Sequence, residues 1–385
     1  MNLGIEMEFW VVDESGRLTD GQYLADRHEL IEPEFVAPLI EVKTTPHERE
    51  GALRRELRRT LQAAMSAAGS EGHRLVPLGT PLTEASPDAT TERGEAFEAI
   101  YDDEIVSTKN CAGTHVHFER GGVRPSSAGP GSGDEQRESA GVGALNLLTA
   151  LDPALALVSS SPYYCGQRRE HCSRAQAYRQ REGGQFADFC DLWSYVDDVG
   201  EWRAAVESAY RRFGRMAAER GVSQGVVADH FTPEDTVLSP VRLRDELPTV
   251  EWRAPDTCLP SQAVRLAFDV GRVVRQTDEK PVAVGEPEIG SDEIRVPPFE
   301  DLCELVTRAI ELGPDEPQVQ TYLRRMGLDP SAYSPLADQI SGQSTITESR
   351  ARDLRLAAAD WLRADVATLT VDPTLPDARA SGQTV

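Results

Sequence analysis

Gly4-Ile5-Glu6-Met7-Glu8-Phe9-Trp10-Val11-Val12-Asp13 sets acidic side chains on one side of an extended chain and large apolar ones on the other, then meets a turn signal at Glu14-Ser15-Gly16. Alternation of this kind reads as a β-strand with one buried and one polar face. Residues 35–44 read the same way, with Leu39, Glu41 and Lys43 on one face and Ile40 and Val42 on the other. A helix is predicted directly after, entered through Thr45-Pro46, striped by Leu53, Leu57, Leu61 and Met65, and closed by Gly69. A short strand is expected near 74–78. Gly113-Thr114-His115-Val116-His117-Phe118 gives a further strand, and 247–253 another, with Glu251 and Arg253 opposite Val250 and Trp252.

Helical periodicity covers 144–157, 201–220, 261–276, 298–312 and 347–369. Between Gly121 and Gly143 stand seven Gly, four Ser and two Pro, which reads as a mobile loop inserted in the domain. Residues 286–297 read as a linker, and the tail from 372 as frayed. Strands early, a helical middle, a returning strand and closing helices predict an α+β fold with a mainly antiparallel sheet, in one domain over residues 1–371.

The chain carries 64 acidic and 40 basic residues among 385, a formal charge of −24. Such a balance excludes a nucleic-acid binder or a partner of anionic membranes, which need a positive surface. Only Lys43, Lys109 and Lys280 are lysines. Acidity spread along the whole chain self-repels in dilute buffer and is screened in concentrated salt, as in a halophilic host. No run is apolar enough to span a membrane and no export signal is read, so a cytoplasmic protein is expected. Six cysteines are too dilute for a disulfide scaffold, and Cys165, His171, Cys172 and Cys190 lack zinc spacing.

Residues two apart on a strand share a face, so Glu6 with Glu8, His115 with His117, and Glu251 with Arg253 are same-face pairs. An acidic pair alone is weak evidence: this composition yields about ten by chance. Seven histidines predict only about 0.1 pairs at that spacing, so His115 and His117 carry information. If these strands and Glu41 share one sheet, their carboxylates and imidazole call for oxygen-loving cations, Mg²⁺ or Mn²⁺. Arg253 beside Glu251 is either a phosphate fork or an ion pair. There is no phosphate loop, dinucleotide turn or nucleophile elbow.

The order of these pieces resembles the glutamate-cysteine ligases and related carboxylate-amine ligases, whose catalytic sheet is similar to that of glutamine synthetase. The resemblance rests on 4–9, on Leu39-Ile40-Glu41-Val42 running into Thr45-Pro46, and on 113–117. It continues through Ser160-Ser161-Pro162 with Ser173-Arg174 and Tyr178-Arg179, and through 249–253 with Asp256. It implies an antiparallel sheet shaped as a funnel, with ATP, glutamate and two or three Mg²⁺ ions. Glu6, Glu8, Glu41, His115 and Glu251 would be metal ligands, and His117 a less certain one. Arg253 would contact the transferred phosphoryl group, and Arg174 or Arg179 phosphate or a substrate carboxylate. The implied reaction phosphorylates the glutamate side chain and then joins it to an amine, with cysteine the first choice. A homodimer is expected by the same analogy. Met7 departs from relatives that carry a further Glu there, which leaves the amine open. The rival readings are a metal-dependent hydrolase built on the His-x-His strand and a non-enzymatic cation-binding protein.

Overall fold

The computed structural model describes residues 1–83, 89–120, 132–179, 187–245, 247–340 and 342–369. Its centre is an open sheet of seven strands: β1 (Leu3–Val12), β2 (Ile31–Pro33), β3 (Leu39–Lys43), β4 (Arg74–Val76), β5 (Thr114–Glu119), β6 (Val241–Arg244) and β7 (Thr249–Trp252). The order is β2-β3-β1-β5-β7-β6, every pairing is antiparallel, and β4 joins the far end of β1. The α+β, mainly antiparallel expectation holds. The sheet is not closed on itself.

Alternation along β1 does what its sequence dictates. Ile5, Met7, Phe9 and Val11 are fully buried under the helices Glu50–Ser70 and Pro260–Val274, which contribute Leu53, Leu57, Leu61, Val264, Ala267 and Val270. Each such side chain stabilises the layer by roughly 1.5–3 kcal/mol. On the other face stand Gly4, Glu6 and Glu8, and the polar row ends at Trp10, whose indole donates to the Leu78 carbonyl at 3.0 Å. Trp10 belongs to a second core with Val12, Leu78 and the closing helix Glu348–Thr368. A third core is aromatic: Phe97 and Tyr101 on the helix Glu92–Tyr101 pack with Phe189, Phe213 and Phe231.

Three expectations are corrected. The first helix begins at Glu50, not at Thr45-Pro46, because Leu3 and His47 exchange backbone hydrogen bonds and prolong the strand pairing past β3. It runs through Gly69, and the left-handed turn falls at Gly72, φ +76. Of the stretch read as a loop, residues 121–131 lie outside the described residues, while a helix spans Ser132–Ala150. Buried Val142, Leu145 and Leu148 anchor that helix, and packing overrides the poor helix propensity of its glycines. Within 286–297, Glu288–Ile289 and Ile294–Val296 form a small sheet with Val282–Val284, held by the fully buried Ile294. The tail from 372 lies outside the described residues. No single helix among the described residues is long and apolar enough to cross a membrane.

Candidate active site

The register of the sheet decides which side chains meet. Glu6 lies opposite Lys43 on β3 and His115 on β5, and Glu8 opposite Glu41, which in turn faces Glu32 on β2. His117 pairs with Gly4 on one side and Glu251 on the other, and Glu251 faces Arg242 on β6. One face of one sheet therefore gathers Glu6, Glu8, Glu41, His115, His117, Glu251 and Arg253 from four strands far apart in sequence. This face floors a cleft of about 600 Å³, walled by Phe35, Phe97, Ile105, Leu238 and Leu247.

His115 is the hub of the acidic end. Its Nδ1 lies 3.3 Å from a Glu6 oxygen and 3.9 Å from Glu41, and its Nε2 lies 3.7 Å from Glu8. Two donor sets, Glu6–His115–Glu251 and Glu8–Glu41–His115, each bring their ligand atoms within 4.8 Å of one another. His117 Nε2 is 3.3 Å from Glu6, and its Nδ1 meets the Thr249 hydroxyl at 3.4 Å.

Burial pushes the Glu6 carboxyl up, but hydrogen bonds from His115 and His117 outweigh it and hold the group well below the usual range. Glu8 is raised to about 7 by burial, with Arg174 opposing and Glu41 adding to the rise. Glu41 stands well above its ordinary value through burial and the carboxylates of Glu6 and Glu34. His115 falls to about 4 through burial and the charge of Arg253, so its imidazole is neutral and free to act as a ligand near pH 7. Raised carboxyls beside a neutral imidazole mean negative charge that the chain alone does not balance.

The other end of the face is built from arginine. Glu251 has no exposed surface and accepts four hydrogen bonds: from Arg242 Nε (2.6 Å) and Nη2 (3.2 Å), Arg244 Nη1 (3.2 Å) and Arg253 Nη1 (2.6 Å). Burial raises the Glu251 carboxyl, but Arg242 and Arg253 hold it well below the usual range. Its lone pairs are filled, so it would ligate a metal ion only by giving up a guanidinium. Arg242 also donates to the Glu234 and Val237 carbonyls, which leaves it a positioning group.

The remaining two candidates divide. Arg174, on the helix Ser173–Arg179, lines the cleft and donates to the Ala254 and Pro255 carbonyls at 3.0 and 3.4 Å. It passes so close to Gly113 that any side chain there would overlap the guanidinium, which explains the glycine of the Gly-Thr-His-Val-His motif. Arg179 is committed to Asp152 through a two-pronged buried pair at 2.5 and 3.0 Å, and Asp152 also accepts from the Trp252 indole. Arg179 also lines the cleft, with its guanidinium held by this pair.

Sequence reading placed Lys43 on the Glu41 face without giving it a role, and missed Glu34, Arg242 and Arg244. Glu34 lines the cleft and is raised to about 7 by burial and the Glu8 carboxylate. Its Glu-Pro-Glu-Phe setting has no periodicity to mark it. Val-Arg-Leu-Arg in β6 does alternate, and its nearness to residues 249–252 was a readable hairpin signal.

Comparison with known proteins adds an independent line. Residues 2–293 match the model of glutamate-cysteine ligase family 2. A Streptomyces avermitilis protein carrying the provisional name glutamate-cysteine ligase 2-1 is 24% identical over 301 residues, 74% of this chain and 72% of its own length. A Rhodococcus jostii protein of the same provisional name is 28% identical over 277 residues, covering 67% and 63%. Among solved structures, a bifunctional glutathione synthetase from Pasteurella multocida shares the fold, with a TM-score of 0.53 at 14% identity. That match takes in 95% of this chain and 52% of the other, so this chain spans about half of the bifunctional protein.

Proposed function

Because the chain belongs to glutamate-cysteine ligase family 2, and so to the ATP-dependent carboxylate-amine ligases, we propose that it joins the side-chain carboxylate of glutamate to the amine of cysteine through an acyl phosphate. The product is γ-glutamylcysteine. The observation that carries this reading is the meeting of Glu6, Glu8, Glu41 and His115 on the same cleft floor as Arg253.

Donors that are all carboxylate oxygen and imidazole, without a thiolate, fit Mg²⁺ or Mn²⁺, and the raised carboxyls of Glu8 and Glu41 fit a site that expects cations. Glu6, Glu8, Glu41 and His115 would hold such ions, and Glu251 would join the Glu6–His115 set only by releasing one of its guanidinium contacts. Bound there, a divalent ion offsets the negative charge shared by nucleotide and glutamate carboxylate during phosphoryl transfer.

Arg253, fixed at one end by Glu251, keeps its other N–H groups for the transferred phosphoryl group. Arg174, held by two carbonyls beside the cleft, suits a substrate carboxylate. Glu34, near 7 and facing the cleft, is placed to take the proton of the incoming amine. The aromatic wall keeps water from an acyl phosphate.

The test is phosphate release from ATP in Mg²⁺, with and without glutamate, across a panel of amines. Release should require glutamate and be fastest with cysteine. A faster amine would change the acceptor and keep the ligase. Release without glutamate, or none with any amine, would overturn the reading.

A further inference from the structure

Where a positive charge is needed, this chain uses arginine almost everywhere, yet one of its three lysines sits among the carboxylates of the cleft floor. Lys43 shares a face with Glu41 and lies opposite Glu6. Its Nζ is 2.7 Å from Glu32, 2.9 Å from Glu41 and 3.9 Å from Glu6. Among the described residues no arginine pairs with any of these three. The chemistry of the two cations separates them here. A guanidinium is a planar fork suited to one carboxylate, as at Arg179 and Asp152. An ammonium is a compact point charge whose three donors can face three separate carboxylates, as a small metal ion does. Neither His115-centred donor set includes Glu32, and the ammonium stands between Glu32 and the groups that form them.

We propose that Lys43 is a built-in cation of this site: its ammonium gathers Glu6, Glu32 and Glu41 and takes the place of a further divalent ion, so that ions enter only at the two donor sets around His115. This rests on the reading of the acidic face as a divalent-cation site. The proposal gives Glu32 a defined role. It binds the lysine and not a metal.

The experiment counts Mn²⁺ bound per full-length chain, without nucleotide or substrate, by equilibrium dialysis with paramagnetic resonance of the free ion. Lys43→Met should bind one ion more than the wild type, since three carboxylates lose their cation. Glu32→Gln, half-exposed and safe for folding, should bind the same number with unchanged affinity. An unchanged count in Lys43→Met, or the loss of an ion in Glu32→Gln, overturns the inference while leaving the cation site itself intact. If Lys43→Met does not fold, Glu32→Gln decides alone. A wild-type chain that binds no Mn²⁺ removes the cation-site reading and this inference together.

Discussion

The two ends of the polar sheet face handle buried charge in opposite ways. At one end stand Glu6, Glu8, Glu34 and Glu41 beside an imidazole kept neutral; among the described residues Lys43 is the one Lys or Arg that forms an ion pair with any of them, Arg174 and Arg253 act only from a distance, and three of the four carboxyls are pushed up toward protonation. At the other end Glu251 is enclosed by Arg242, Arg244 and Arg253 and stays fully charged. The strands are continuous between the two, and both ends are largely buried, so neither register nor burial explains the contrast. What differs is supply. The arginine end is complete within the chain, whereas the carboxylate end lacks cations and is where binding from outside would release the most free energy.

The largest test swaps one oxygen for nitrogen at each end. Glu251→Gln keeps the shape but leaves three guanidiniums without their shared anion. It should cost about 3–5 kcal/mol in urea unfolding, the range for breaking a buried ion pair from one side, and abolish glutamate-dependent phosphate release. Glu41→Gln, at a carboxyl driven toward its neutral form, gives up only its contact with Lys43 and should cost the metal-free protein much less. Equal losses at the two positions would erase the distinction.

A smaller effect is expected from pH. Glu8 and Glu34 move from 4.5 in the unfolded chain to about 7 in the fold. Between those values the folded protein holds more protons than the unfolded one, so stability falls as pH rises from 4.5 to about 7 and levels off above. Glu251, depressed by its arginines, has the opposite sign: its contribution is present above the ordinary carboxyl range and is lost only as pH falls below it. Thermal melting in chelator should therefore decline by a few kcal/mol of stability from pH 5 toward 7. Saturating Mg²⁺ should flatten the decline, and Mg²⁺ titrated in at pH 7 should release protons, read by calorimetry in buffers of different ionisation enthalpy. A flat melting profile in chelator would mean that the carboxylate end is already balanced.

How much of this was readable follows the same divide. Period-two alternation is local, so the strands bearing Glu6, Glu41, His115 and Glu251 could be drawn from sequence, as could their polar faces and the sheet's antiparallel sense. Partnerships across the chain could not. Arg179 looks like a ligand contact within its motif, and only the fold brings Asp152 to its guanidinium. Glu251 looks like a metal ligand until β6 adds Arg242 and Arg244. Lys43 was placed on the right face, but nothing local says that Glu32 will fold over it. The aromatic core that backs Phe97 in the cleft wall was missed for the same reason, since Phe97, Phe189, Phe213 and Phe231 come from separate segments.

The smallest expected effect separates this buried face from the surface. The net charge of −24 is spread over the chain. The Debye length falls from about 10 Å at 0.1 M to about 3 Å at 1 M salt, so repulsion among exposed carboxylates fades in that range, while pairs closed off from solvent feel little screening. Raising KCl from about 0.1 M to 2 M should lift the melting temperature of the wild-type protein by several degrees. The stability gap between the wild type and Glu251→Gln should stay the same across the series, because Glu251 has no solvent-exposed surface. A melting temperature that is flat or falls with KCl would show that the acidic surface is not adapted to a salty host. A gap that closes with salt would show that solvent reaches the arginine end, and with it that the end is not finished within the chain.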